Sequence, residues 1–195
     1  MSDKPLRILI VDQNLMRASI LQEGLREAGH DDVVVVHDMQ YLLKRIVAVD
    51  PDVIFMDLEN PNRDVLEQMF QVSRSVHRPV AMFVDSSDAS MIQAAIESGV
   101  SAYVVDGLKK ERVKPILDLC ISRFKAFSSL REELDRTRQA LEERKLVDRA
   151  KGILMKQNRI TEEEAYALLR KTAMDMNQRL GEVAQSVITA ARLLR

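Results

Sequence analysis

The sequence has no tryptophan, and aromatic residues make up only 4% of it. That scarcity argues against a binding face built mainly by stacking single-stranded bases on aromatic rings. A single cysteine, Cys120, excludes an internal disulfide framework and fits a reducing compartment. No run of 18 apolar residues occurs, and MSDKPLRILIVD carries too short an apolar run for a signal peptide, so the expectation is a cytoplasmic protein with no membrane partner. Catalytic machinery is missing too. There is no Ser/His/Asp set, no CxxC and no glycine-rich phosphate loop, and His30, His37 and His77 are scattered. No enzymatic activity and no cofactor is expected.

What is present is an ordinary folded composition, 46% apolar and 30% charged over 195 residues, enough for a medium domain and a smaller one. The net charge of −1 hides an asymmetry. Residues 1–112 hold 12 Lys+Arg against 18 Asp+Glu, a net of −6, whereas residues 145–195 hold 10 against 6, a net of +4. An acidic front and a basic tail suit different partners, with a polyanion fitting the tail.

In the first 112 residues, β-branched runs alternate with amphipathic stretches. LRILIVD (6–12), VVVVH (33–37), DVIFMD (52–57), PVAMFVD (79–85) and SAYVVD (101–106) read as buried parallel strands. Residues 15–28, 39–49, 64–76 and 89–98 show helical spacing, with Gly29 and Gly99 where helices should stop. This pattern predicts a doubly wound, flavodoxin-like α/β domain over residues 1–112, with its site at the carboxyl ends of the strands. Four of the strands end in aspartate: Asp12, Asp57, Asp85 and Asp106.

From about residue 109 to 156 the interior lacks glycine and proline except for Pro115 and Gly152. Cys120, Phe124, Phe127, Leu130, Leu134, Thr137 and Leu141 recur in three- and four-residue steps with one slip, between dense charges. Residues 113–144 thus read as a long helix that pairs in a coiled-coil homodimer, with a solvated spacer helix as the alternative. Residues 145–195 read as an all-α three-helix bundle. Thr161 and Glu164 form a capping box that opens its second helix.

AKGILMKQN (150–158) sets a glycine among residues that should be packing. Lys145, Arg149, Gly152 and Lys156 fall on one helical stripe, and Lys151 is adjacent. A helix-interior glycine costs about 1 kcal/mol relative to alanine. Two explanations stand: close approach of a phosphate backbone, or relief of crowding against a neighbouring helix. Arg170, Lys171, Asn177, Gln178 and Arg179 add donors on the following hairpin.

Two resemblances sharpen this reading. RILIVD, PDVIFMDLENP, RPVAMF and ESGVSAYVV together resemble a response-regulator receiver domain. The resemblance implies that Asp57 stands at the phospho-acceptor position and Asp12 at one of two Mg²⁺-binding acids. The pattern then breaks: Gln13 stands for the second acid, Val84 for the switch hydroxyl and Asp106 for the switch lysine. An aspartate there repels a phosphoaspartate instead of pairing with it, and the loss of one carboxylate weakens any Mg²⁺ site at Asp12 and Asp57. The expectation is a docking scaffold rather than a phosphorylation switch, with Lys109 or Lys110 as substitute cations.

AKGILM, EEEAYALLRKTAM and RLGEVAQSVI are similar to the ANTAR module of bacterial antiterminators. ENPNRDVLEQM, SGVSAYVV and ILDLCISRF resemble the NasT-type regulators of nitrate assimilation in particular. This resemblance implies binding to hairpins in nascent leader RNA and control by an inhibitory nitrate- or nitrite-sensing partner of the NasS type. It also implies RNA contact by Lys151, Gly152, Arg170 and Arg179. Lys145, Arg149, Lys156, Lys171 and Asn177 are added on the surface pattern alone. The competing class is a phosphorylation-dependent regulator acting on DNA. It needs a helix that reads the major groove, and LGEVAQSVITAARLL is almost devoid of charge.

Overall fold

Five short strands line up because their residues are apolar on both faces and therefore need helices on both sides. The computed structural model describes residues 5–105 and 107–193, so Asp106, one of the four strand-end aspartates expected at the site, lies outside the described residues. Strands β1 (Ile8–Asp12), β2 (Val33–Val36), β3 (Val53–Asp57), β4 (Val80–Val84) and β5 (Ala102–Val105) form one parallel sheet in the order β2-β1-β3-β4-β5. Helices α1 (Leu15–Glu27), α2 (Leu42–Val49), α3 (Arg63–Ser75) and α4 (Ala89–Glu97) connect them, and α5 (Val113–Asn158) follows.

Alternate strand residues feed two cores. Leu9, Val11, Ile54, Met56 and Met82 pack under α2, α3 and α4, whereas Ile8, Ile10, Phe55 and Phe83 pack against α1 and the start of α5. This is the expected doubly wound fold. Helix α2 begins three residues later than its periodicity suggests. Asp38 accepts the Gln40 N–H at 2.8 Å, and Tyr41 adopts a left-handed backbone (φ 56°), so residues 39–41 are spent on a turn.

The described residues up to 128 form one compact unit and those from 129 onward a second. The first runs past the boundary expected at residue 112. Val113, Leu117 and Cys120 of α5 are fully buried with α1, and without them one face of the sheet would lack its cover. Cys120 is thus a core residue, its thiol pushed up to about 12 by burial. The slip in the apolar stripe now has a cause. Cys120 belongs to this core, while Phe127, Leu130, Leu134 and Leu141 are 49–62% exposed and keep regular heptad spacing.

The second unit holds the end of α5 with α6 (Glu162–Met176) and α7 (Leu180–Leu193). Val147, Ala150, Leu169, Ala173, Val183, Ala184 and Ile188 form its core. Leu168 and Met176 of α6 are 41% and 60% exposed. The small side chains Ala165 and Ala173 make the α6 contact instead, which lets the helices approach closely. The capping box forms as expected, with the Thr161 N–H donating to Glu164 at 2.8 Å and the Glu164 N–H donating to Thr161 Oγ1 at 3.3 Å. Glu143 of α5 accepts the Gly181 N–H at 3.2 Å, and a Cβ at Gly181 would lie 3.1 Å from the Glu143 side chain.

Two helical glycines separate packing from access. A Cβ on Gly24 of α1 would stand 2.9 Å from Val113 Cγ2 and 3.3 Å from the Lys110 carbonyl, whereas one on Gly152 would meet nothing within 4 Å. Gly24→Ala should therefore cost about 1–3 kcal/mol by overpacking. Gly152→Ala should stabilise the second unit by about 0.5–1 kcal/mol. Urea unfolding of both variants measures the difference in sign.

Candidate functional site

Register builds the first candidate site. Asp12 pairs with Asp57 at the last position shared by β1 and β3, which sets two carboxylates side by side at the strands' carboxyl ends. They are only 1% and 2% exposed. Asp12 Oδ1 accepts the Asn14 N–H at 2.8 Å, but its Oδ2 is buried without a hydrogen-bond partner. Burial, reinforced by the charge of Asp57, pushes the Asp12 carboxyl up to about 6 against the pull of the Asn14 N–H. Two such carboxylates without a cation would be costly.

The cation is Arg17. Asn14 caps α1 through its side chain, accepting the Met16 and Arg17 N–H groups at 3.0 and 3.4 Å, and so fixes where the first turn begins. Arg17, in that turn, reaches across to β3. Its Nε donates to Asp57 Oδ2 at 2.7 Å, its Nη2 to Asp57 Oδ1 at 2.7 Å and its Nη1 to Asp85 Oδ1 at 3.0 Å. Glu59 lies 3.8 Å away. Burial pushes the Arg17 guanidinium down, but the hydrogen bonds and charges of Asp57 and Asp85 outweigh it and hold the group above its usual range. Burial likewise pushes the Asp57 carboxyl up, opposed by Arg17.

Val84, at the position of the missing hydroxyl, is fully buried. Lys110, one of the two expected substitutes, is spent elsewhere, bridging Glu23 and Glu27 of α1 at 3.1 and 2.7 Å. The divalent cation that a receiver implies does not fit this arrangement. With Arg17 in place both Asp57 oxygens are bonded to its guanidinium, and the orphaned Asp12 Oδ2 is one oxygen where Mg²⁺ needs an octahedral set. Among the described residues, no group of three or more His, Cys, Asp or Glu is disposed to hold a metal. Arg17 was not singled out from the sequence. A cluster of strand-end aspartates without the usual lysine was the signal that some other cation had to be found.

The second candidate site lies on α6 and α7. Met176 ends α6, and Asn177 takes the left-handed conformation (φ 50°) that turns the chain, its N–H bonding back to Ala173 and Met174. Asparagine tolerates that conformation because its short polar side chain bonds locally. The turn brings Arg170, Asn177, Gln178 and Arg179 around one open groove of ≈ 680 Å³, which Tyr166, Met174 and Glu182 also line. Tyr166 and Met174, which sequence reasoning passed over, are 43% and 73% exposed. Four of the expected donors therefore converge. Lys171 is exposed on α6, and Arg149 and Lys156 are exposed on α5.

Two lysines differ from that picture. Lys145 is exposed but bonded to Glu142 at 2.8 Å. Lys151 is only 15% exposed and lies 2.7 Å from both Asp148 of α5 and Glu162 of α6. Its charge is satisfied within the bundle, where it clasps the start of α6 to α5. Those two carboxylates raise the Lys151 ammonium above its usual range, Asp148 contributing most. Gly152 has open space above it, which removes crowding by a neighbouring helix as its explanation.

The chain is thus a parallel five-stranded α/β unit with paired strand-end carboxylates, followed by a helical unit with an arginine-lined groove. The response regulator receiver domain model matches residues 8–118 and the ANTAR domain model residues 135–188. The chain belongs to the response-regulator receiver family and carries an ANTAR domain at its carboxyl end. It is 29% identical over 184 residues to the transcriptional regulatory protein PdtaR of Mycobacterium tuberculosis, covering 94% of this chain and 90% of that protein. It is 40% identical over 82 residues to the nitrate regulatory protein of Klebsiella oxytoca, covering 42% of this chain but only 21% of that one. Among solved structures, the receiver domain of a diguanylate cyclase from Desulfovibrio desulfuricans G20 superposes with a TM-score of 0.53 at 18% identity, over 63% of this chain and 98% of that one. A CheY-like receiver from Methanospirillum hungatei JF-1 does so with 0.53 at 16%, over 63% and 99%. These two show the fold alone.

Replacing Lys151 with glutamate sets three carboxylates together between α5 and α6. That variant should have a lower thermal midpoint, whereas the exposed changes Arg170→Glu and Arg179→Glu should each alter stability by less than about 0.5 kcal/mol. Thermal melts followed by circular dichroism compare them.

Proposed function

We propose that this protein is an RNA-binding transcription antiterminator, acting in the cytoplasm and without catalysis. Its α6–α7 groove grips hairpins in nascent leader RNA and holds the transcript in a fold that cannot form the terminator. The observation that carries this reading is the convergence of Arg170, Arg179, Asn177 and Gln178 on one open groove, within the residues matched by the ANTAR domain. Guanidinium forks suit phosphate oxygens, and amides can serve sugars and base edges. Arg149, Lys156 and Lys171 add exposed charge, and Gly152 leaves α5 bare where a phosphate backbone can approach. Lys145 and Lys151 would join only by leaving their carboxylate partners.

The mechanism needs only binding energy. Protein that binds one of two competing RNA folds shifts their populations by its differential affinity. The regulated genes are those of nitrate or nitrite assimilation, a reading supported by the resemblance of the sequence and by its similarity to the nitrate regulatory protein of Klebsiella oxytoca. A ligand-sensing partner of the NasS type holds the protein inactive through the acidic receiver, which serves as a docking scaffold. The protein works as a homodimer. Leu130, Leu134 and Leu141 are exposed at heptad spacing on α5, and pairing two such helices removes them from water. A DNA-acting response regulator is less well supported, because α7 presents few charges and the Asp57 carboxylate is already engaged.

In a gel-shift titration with a two-hairpin leader RNA, Arg170→Glu combined with Arg179→Glu should weaken binding at least about 100-fold, at about 1.5–3 kcal/mol per charged contact. With four phosphate contacts, wild-type affinity should fall about 50–150-fold between roughly 50 and 200 mM salt. Normal binding by the double variant would remove the groove from the mechanism. In sedimentation equilibrium, Leu134→Glu should shift the protein from dimer toward monomer, and an unchanged mass would remove the α5 stripe as the seam.

A further inference from the structure

We propose that Arg17 is the resident cation of the receiver pocket, replacing at once the divalent ion and the switch lysine, so that the pocket is permanently closed to both Mg²⁺ and phosphoryl donors. This rests on the receiver half of the functional reading and not on RNA binding.

Three observations carry it. The first is geometry. All three guanidinium nitrogens are used, two on Asp57 as a planar fork and one on Asp85, at 2.7, 2.7 and 3.0 Å. A fork on a carboxylate is the strongest arrangement available to an arginine, and the Arg17 side chain is only 18% exposed. An ion entering the pocket has to displace the bonds to Asp57, and a phosphoryl donor has to break the same fork to reach either oxygen.

The second is placement. Arg17 occupies the first turn of α1, where the helix dipole disfavours a cation. The helix end alone gives no reason for a positive charge there. The carboxylates of Asp57, Asp85 and Glu59 supply one.

The third is what the guanidinium ties together. Glu59, just beyond β3, has a left-handed backbone (φ 51°), an uncommon state for a non-glycine residue. It is held by the Asn14 amide at 2.7 Å and by the Asp85 N–H, which donates to the Glu59 carbonyl at 2.8 Å. Asn60 donates to Asp85 at 3.3 Å. Arg17 thus joins α1 to the loops after β3 and β4, the segments that a phosphoryl group on Asp57 would otherwise have to draw together. The receiver is locked in one arrangement, and its signal has to arrive as a partner rather than as a modification.

The test uses the full-length protein with MgCl₂ as the probe, read by calorimetric titration and by thermal midpoint. Wild type should give no binding heat and no shift with millimolar Mg²⁺. Arg17→Ala should melt lower and recover with Mg²⁺, with binding heat at one ion per chain. Arg17→Gln, which keeps two hydrogen-bonding groups without the charge, should do the same if the alanine variant fails to fold. Arg17→Lys should remain insensitive to Mg²⁺. Stoichiometric Mg²⁺ binding by wild type would overturn the proposal, as would absence of Mg²⁺ binding in both neutral variants. Leader-RNA binding by the same preparations is a separate readout: its absence in wild type sinks the antiterminator reading and leaves the Mg²⁺ result standing.

Discussion

Two carboxylates brought into register at the dry end of a parallel sheet cannot be left alone, and the receiver is arranged around that constraint. Asp12 and Asp57 are neighbours because β1 and β3 pair residue for residue. Desolvation makes both reluctant to ionise. In a receiver that works by phosphorylation, the electrostatic problem is the source of function, because it recruits a metal and then a phosphoryl group. Here the chain meets it from within. Arg17 occupies Asp57 and Asp85, and the Asn14 cap that aims Arg17 also steadies Glu59. Part of the problem persists at Asp12 Oδ2, which has no partner.

The second unit meets a different constraint, which is size. Among the described residues its core is a small set of buried side chains, most of them alanine or valine, too small for apolar burial alone to define the packing. Polar ties share the task. Lys151 clasps α5 to α6, Glu143 caps the start of α7 from α5, and the Thr161–Glu164 box closes the start of α6. A lysine used as a clasp is not available to a polyanion, so the unit divides its cations between holding itself together and facing outward. The groove at the α6–α7 turn is where outward-facing ones collect.

Much of this was legible before any coordinates. Strand and helix order followed from periodicity, because residues buried on both faces of a parallel sheet leave uninterrupted apolar runs such as VIFMD. The capping box was legible because T-x-x-E is a local chemical device that works within four residues. The heptad stripe was legible in part, but its slip was not. Nothing in the spacing says that Cys120 packs against α1 while Phe127 faces water. Lys151 and Lys156 were both expected to contact RNA, and only the neighbouring helix separates them, because Glu162 lies eleven residues further along the chain.

By itself the sequence determined what depends on short-range order: the alternation of strands and helices, the caps, the acidic front and basic tail, and the departure of Gln13, Val84 and Asp106 from the receiver pattern. Tertiary structure alone decided which charges meet. Arg17 and Asp57 are forty residues apart in the chain and 2.7 Å apart in space, and Tyr166, Arg170 and Arg179 share a groove only because the chain reverses at Asn177. Local pattern is written by backbone geometry and hydrophobic period. The pairing of distant charges is a property of the packed solid, where each carboxylate must take whichever cation the fold brings within reach.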